Sequence, residues 1–306
     1  MVINSFNVLS SKNGNFDRIN KTIFMKVKLI ECPRDAMQGF NHFIDTDIKV
    51  KYLNTLLQVG FDTLDCGSFV NPKIIPQMAD TSEVLNRLKM TETKLSVIVA
   101  NLRGAETAVD FDQITYLGFP FSISETFQRR NTNTGIEEAL DTVKDILKIC
   151  TRHKKKFIAY ISMGFGNPYN ETWSPEIAAY WIKRLKELGV NYFSLSDTVG
   201  VSSPLKIKQL ISHLTSEFHD LNFGCHFHTR ADNWEEKIEA AFNSGCMRFD
   251  GALMGFGGCP MADDALVGNM PTENMIHYFE SQGIDTGLNK VKLQEAMLMA
   301  NEVFNA

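Results

Sequence analysis

From Met25 onward, strand-like and helix-like segments alternate, and this order constrains the fold more than any other feature. Eight short runs read as strands: KVKLIE, FDTLDC, KLSVIVA, QITYLG, KFIAYI, NYFSLS, FGCHFH and CMRFDGAL. Helical spacing lies between them. The clearest helix places Ile136, Leu140, Val143, Leu147 and Cys150 on one face. Two more open on Ser174–Pro175 and Ser203–Pro204, a cap followed by a residue already set for the first turn, and Gly189 closes the first of them. Asp45 or Thr46 caps the helix after the first strand, with Ile48, Leu53, Leu56 and Leu57 as its apolar positions. Further helices are predicted over 82–89, 105–109 and 233–243, the latter with Trp234, Ile238, Ala241 and Phe242 on one side, and a last one from Pro271 or Thr272.

Strands that alternate with helices make a parallel sheet. Eight such units in one chain specify a closed barrel of about 250 residues rather than an open sheet. No glycine-rich dinucleotide fingerprint follows the first strand, which counts against the open alternative. The expected class is α/β: a single (β/α)8 TIM barrel over residues 25–306, with a short polar, Asn-rich N-terminal extension over residues 1–24.

Charge and composition narrow the function. Lys and Arg number 31 against 36 Asp and Glu, a net charge of −5. A chain that lives on phosphate neutralisation needs the opposite balance, so no nucleic-acid partner is expected. No apolar run approaches the roughly 20 residues of a membrane span, nor is there the continuous apolar stretch of a secretory signal. The six cysteines form no CxxC pair and read as reduced thiols, four or five of them buried, in a cytoplasmic protein.

Chemistry in such barrels sits at the C-terminal ends of the strands. The unusual polar clusters fall there: ECPRDAMQG, LDCGSF, LSDTVG, CHFHTR and GFGGCPMADDALVGN. His226 and His228 are two apart, so on a strand both rings face one side. They are either satisfied core histidines or metal ligands. Asp35 closes strand one, and Asn269 follows strand eight. Strand one neighbours strand eight in a closed barrel, and strand eight neighbours strand seven, so these four side chains can converge. Two imidazoles and two oxygens suit Mg²⁺ or Mn²⁺ better than a thiolate-rich zinc site, with Zn²⁺ and Co²⁺ as alternatives. Arg34 is either a salt-bridge partner or a donor to an enolate oxygen. Asp65 and Asp197 end strands two and six, as caps or as acid–base groups. Cys259 lies in a loop with Gly255, Gly257 and Gly258, where an accessible thiol can donate a proton.

With these residues in view, the chain resembles the 3-hydroxy-3-methylglutaryl-CoA lyase family from Met25 to about Asn289. PRDAMQ is similar to the family's PRDGLQ, and GSFVNPKIIPQMAD to its SFVSPKWVPQM stretch. SETFQRRNTN, LSDTVGVSSP, GGCP and the closing GN resemble its other signatures, in the same order. The resemblance implies that Asp35, His226, His228 and Asn269 hold a divalent cation. It implies that Arg34 sits beside the thioester carbonyl, that Cys259 takes part in catalysis, and that Asp197 serves proton transfer. Asp65 stands where the common form has Glu. Gln38, which closes PRDAMQ, joins Arg34 as a substrate-binding candidate, and Arg129 and Arg130 are candidates for coenzyme A contacts. Three departures mark a divergent branch: Thr229 replaces the Asp after the second histidine, one residue fewer separates Glu31 from Pro33, and the stretch from Cys259 to Asn269 is one residue longer.

The implied reaction is a metal-dependent retro-Claisen cleavage of 3-hydroxy-3-methylglutaryl-CoA to acetyl-CoA and acetoacetate, with His226 or Asp197 as base, in a homodimer. A condensing synthase of the 2-isopropylmalate or homocitrate kind, a lyase for a different 3-hydroxyacyl-CoA, and a barrel that binds acyl-CoA without turnover are the alternatives.

Overall fold

The computed structural model describes residues 26–40, 42–258 and 267–304. The extension over residues 1–24 and the loop thiol Cys259 lie outside the described residues. In chain order the elements are β1 (Lys28–Glu31), α1 (Pro33–Gln38), α2 (Thr46–Leu57), β2 (Thr63–Ser68), α3 (Thr81–Asn86), β3 (Lys94–Ile98), α4 (Leu102–Ala108) and β4 (Ile114–Ser122). They continue as α5 (Glu125–Thr132), α6 (Ile136–Arg152), β5 (Lys156–Ser162), α7 (Pro175–Leu188), β6 (Tyr192–Asp197), α8 (Pro204–Glu217) and β7 (Asn222–Thr229). The chain closes with α9 (Trp234–Asn243), β8 (Arg248–Gly251), β9 (Gly268–Asn269), α10 (Thr272–Ser281) and α11 (Lys290–Phe304).

Strands β1 to β8 pair in parallel with their neighbours, and β6 pairs with β7 while β8 pairs with β1, so the sheet closes on itself. The (β/α)8 barrel expected from the alternation is the observed fold. The local signals hold where they are strongest. Ser174 accepts from the Ile177 amide, Ser203 accepts from the Lys206 amide, and Gly189 ends α7 at φ +106°.

The alternation is not strict. Helices α1 and α5 are extra turns inside loops, and α11 follows the last expected helix. On α2, Ile48 is 46% exposed and Lys49 takes the buried place instead, its Nζ donating to Asp80 at 2.9 Å. On α6, Ile146 is buried where the spacing assigned Leu147, which is half-buried. Asp35 does not close β1; it lies in the first turn of α1, after Cys32 and Pro33. Asp65 lies inside β2 rather than at its end. Asn269 belongs to β9, which pairs antiparallel with β7 so that His228 faces Asn269.

Two apolar layers support the barrel. The larger lies between strands and helices. A smaller one joins Tyr116, Ile158 and Tyr160 with Ile98 and Tyr192, and its Tyr160 ring lies 6.2 Å from the His226 ring. Helix α11 seals one side: Phe304 packs on Phe40 and Phe256, with ring centroids 5.3 and 4.7 Å apart.

Candidate active site

The carboxyl ends of β1, β2, β7 and β8 bring six polar side chains together. Each gets there by a local device. Pro33 opens α1 one residue after Cys32, and this short helix turns Arg34 and Asp35 inward. The two-residue period of β7 aims His226 and His228 at the same side. The antiparallel pairing of β9 sets Asn269 opposite His228.

The donor atoms of Asp35, His226 and His228 lie within 4.8 Å of one another, and all three residues are buried. His226 Nε2 is 4.0 Å from Asp35 Oδ2. His228 Nδ1 is 2.9 Å from the Thr198 carbonyl, which places its proton on Nδ1 and leaves the Nε2 lone pair inward. That Nε2 is buried without a partner, as is Asn269 Oδ1. Asn269 Nδ2 donates to Asp35 Oδ2 at 2.8 Å and to the Phe256 carbonyl at 2.9 Å. Two orphaned buried acceptors beside a carboxylate and a second imidazole could hold a cation, because such atoms are otherwise costly to leave unpaired. The expected Asp35, His226, His228 and Asn269 are therefore brought together.

The electrostatics agree. Burial pushes the His228 ring down to about 4, helped by the neighbouring His226, so it is neutral and ready to coordinate. Burial also works against charge on His226, but Asp250 and Asp35 outweigh it and raise its pKa. Burial opposes the charge on Asp35, yet Arg34 and the two histidines hold its carboxyl below the ordinary value.

A second grouping, Cys32, His226 and Asp250, also lies close. Burial pushes the Cys32 thiol well up, so it stays protonated and is a poor ligand. Asp250 has other work: its Oδ2 accepts from Ser194 Oγ at 2.8 Å and lies 3.5 Å from His226 Nδ1, behind the ring. The sequence reading missed Asp250 and Thr198. An Asp in the middle of the strand run CMRFDGAL was the available signal for the first.

Arg34 lies between the metal-type cluster and β2. Its Nε and Nη2 donate to Asp65 Oδ2 at 3.1 and 2.5 Å, and its Nη1 donates to Asp35 Oδ1 at 2.7 Å and Gln38 Oε1 at 2.9 Å. Those bonds use four of the five N–H donors of a guanidinium and leave one on Nη2. Gln38 Nε2 in turn donates to Asp35 Oδ1 at 2.8 Å. Asp65 keeps Oδ1 buried and unpartnered, and burial raises its carboxyl pKa despite Arg34.

Asp197 is placed differently. It ends β6 as expected, but Oδ1 accepts from the Ser202 amide at 3.0 Å, and Oδ2 accepts from Ser202 Oγ and from Lys237 Nζ. The coenzyme A candidates sit on α5, where Arg129 pairs with Glu125 and Arg130 lies over the Tyr169 ring.

After β8, Gly257 lies directly against the cluster. Gly257 has φ +92°, and a Cβ there would come within 2.7 Å of Asn269 Nδ2 and 2.6 Å of the Asp35 carbonyl. Only glycine fits that approach. Glu31 accepts from the Leu253 amide at 2.8 Å and from Thr272 Oγ1, and Glu273 accepts from the Met254 amide at 2.9 Å.

The HMGL-like family model matches residues 26–299. Over 279 residues the chain is 33% identical to the mitochondrial hydroxymethylglutaryl-CoA lyase of Homo sapiens, covering 90% of this chain and 85% of that one. Among solved structures, it is similar to the HMG-CoA lyase of Bacillus subtilis, with a TM-score of 0.86, 29% identity and coverage of 92% and 94% of the two chains. It is also similar to an HMG-CoA lyase of Acinetobacter baumannii solved with coenzyme A and 3-methylmalate, with a TM-score of 0.85, 28% identity and 92% of each chain covered. A match over nearly the whole barrel, joined to the cluster of Arg34, Asp35, His226, His228 and Asn269 at its carboxyl end, makes this chain a member of the HMGL-like family.

Proposed function

We propose that this protein is a carbon–carbon lyase that cleaves 3-hydroxy-3-methylglutaryl-CoA to acetyl-CoA and acetoacetate. The observation that carries this reading is the pairing of a cation-type cluster with a guanidinium that keeps one donor free, inside a chain matching lyases of that name along its barrel. The condensing-synthase and non-catalytic alternatives gain nothing from the comparisons.

Asp35, His226, His228 and Asn269 would hold the divalent cation, Mg²⁺ or Mn²⁺ by the oxygen-rich donor set. A bound cation supplies Lewis acidity that lowers the pKa of the substrate's tertiary hydroxyl. The proton then needs an acceptor. A histidine whose inward nitrogen is a ligand has no lone pair left for it, and both oxygens of Asp197 are engaged. Asp65 keeps Oδ1 free, so we assign the proton to Asp65. As the hydroxyl oxygen forms the new carbonyl of acetoacetate, the C–C bond breaks and its electrons pass into the thioester, giving an enolate. The remaining Nη2 donor of Arg34 stabilises that oxygen. Cys259, or the protonated Asp65, returns one proton to the carbon, so one proton is lost and one gained. Gln38 holds Arg34 and Asp35 in register and would reach the substrate through Arg34.

The protein is proposed to act as a homodimer on acyl-CoA in the cytoplasm. All five described cysteines are free and buried, and no described helix is long and apolar enough to cross a membrane. The direct test is acetoacetate release from 3-hydroxy-3-methylglutaryl-CoA with Mg²⁺ or Mn²⁺, with a chelator, and in His226→Ala. Release that needs the metal and vanishes in the variant is the expected result. No release from folded, metal-loaded protein overturns the reading.

A further inference from the structure

Lys237 is fully buried on α9, among Ile238 and Ala241. A buried ammonium is held only where its donors are matched. Here all three are: Nζ donates to Asp197 Oδ2 at 2.7 Å, to the His228 carbonyl at 2.9 Å and to the Gly200 carbonyl at 3.2 Å. Asp197 likewise has a partner on each oxygen, Ser202 adding to Lys237. The pair therefore ties the loop after β6 to the backbone of His228. The same loop holds the ring of that residue, through the Thr198 carbonyl on Nδ1. Thr198 is itself fixed, because its Oγ1 accepts from the Met163 amide at 2.9 Å. His228 is thus gripped twice, at its carbonyl and at its outer ring nitrogen, and both grips run through residues 197–200.

We propose that Lys237 is a positioning residue, which with Asp197 brackets the β6 loop to the His228 carbonyl and thereby aims His228 Nε2 into the cation site. The inference rests on the reading of His228 as a metal ligand. It gives Asp197 a role that needs no proton transfer, and it explains why a lysine is tolerated in an apolar seam. Outer partners of metal-bound histidines typically affect metal affinity by about 10–100-fold, which sets the size of the effect.

The experiment uses the full chain with Mn²⁺ as the probe. Free Mn²⁺ is followed by electron paramagnetic resonance, and kcat and KM are measured separately. Lys237→Met is expected to weaken Mn²⁺ binding by about 10–100-fold, with activity largely regained at saturating Mn²⁺ and KM for the acyl-CoA within about threefold. Lys237→Arg, which keeps the charge, is expected to restore part of the Mn²⁺ affinity. Lys237→Met leaves Asp197 buried and unpaired, so Lys237→Met/Asp197→Asn carries the test if the single variant does not fold. The double variant is expected to melt closer to the wild type than Lys237→Met does, yet to bind Mn²⁺ weakly. Folded variants that bind Mn²⁺ within twofold of the wild type overturn the positioning role. A wild type that binds no Mn²⁺ overturns the metal reading beneath it, a result distinct from equal binding by both.

Discussion

Two buried ionic clusters sit at the same end of this barrel and are built on opposite principles. On the β6–β7 side, Asp197, Ser202 and Lys237 leave no buried side-chain polar atom without a partner. On the β1–β2 side, Arg34, Asp35, Asp65 and Gln38 are just as tightly knit but incomplete: Asp65 Oδ1, and across the cleft His228 Nε2 and Asn269 Oδ1, have no partner. Burying a polar atom costs free energy in both places. A saturated cluster recovers that cost in the folded protein itself. An unsaturated one recovers it only when a ligand or substrate arrives, which is how a site is told from a brace.

The sharpest way to break this comparison is Arg34→Met. The protein should fold and bind metal, and kcat should fall by about 10²–10³-fold, as when an oxyanion donor is removed. Near-normal turnover in steady-state kinetics would remove Arg34 from the chemistry. Next in size is Asp65→Asn, with an expected loss of about 10²-fold or more. Burial raises the Asp65 carboxyl, so the acid limb of the wild-type rate profile should lie above the ordinary carboxylate range and disappear in the variant. If instead Asp197→Asn removed that limb while Asp65→Asn kept it, the saturated cluster would be the reactive one.

A stability effect of intermediate size belongs to Glu31, which bonds Leu253 and Thr272. Burial lifts its carboxyl from 4.5 to about 8, against the Thr272 and Leu253 hydrogen bonds. Between those values the folded chain holds a proton that the unfolded chain has lost. Stability should therefore fall as pH rises through that window, by up to about 1.4 kcal/mol per pH unit, and level off above it. Glu31→Gln should flatten this slope in melting curves taken across the window. The smallest effect is expected at the surface: breaking the exposed Arg129–Glu125 pair with Arg129→Ala should change stability by less than about 1 kcal/mol. A larger drop in chemical denaturation would show that exposure does not separate the two kinds of ion pair.

Much of the site was legible as residue types in order. Arg34, Asp35, His226, His228 and Asn269 were expected together and are found together. What escaped was the grip behind them. Lys237 stands in WEEK, which reads as a solvated charge run, yet with Trp234, Ile238 and Ala241 it follows the i, i+3, i+4, i+7 spacing of a buried face. The small helix α1 escaped because six residues carry too little period, and β9 because two residues carry none.

By itself the sequence determined the barrel, because caps, glycines and apolar periods act within one or two turns of the chain. It also showed which polar residue types gather near the carboxyl ends of the strands, though not that Asp35 sits on α1 or Asn269 on β9. Only the tertiary structure decided which of those are saturated and which stay open. Asn269 reaches Asp35 across 234 positions, and Lys237 reaches Asp197 across 40. Contacts of that range exist only after the sheet closes on itself, and hydrogen-bond satisfaction is counted in space, not along the chain.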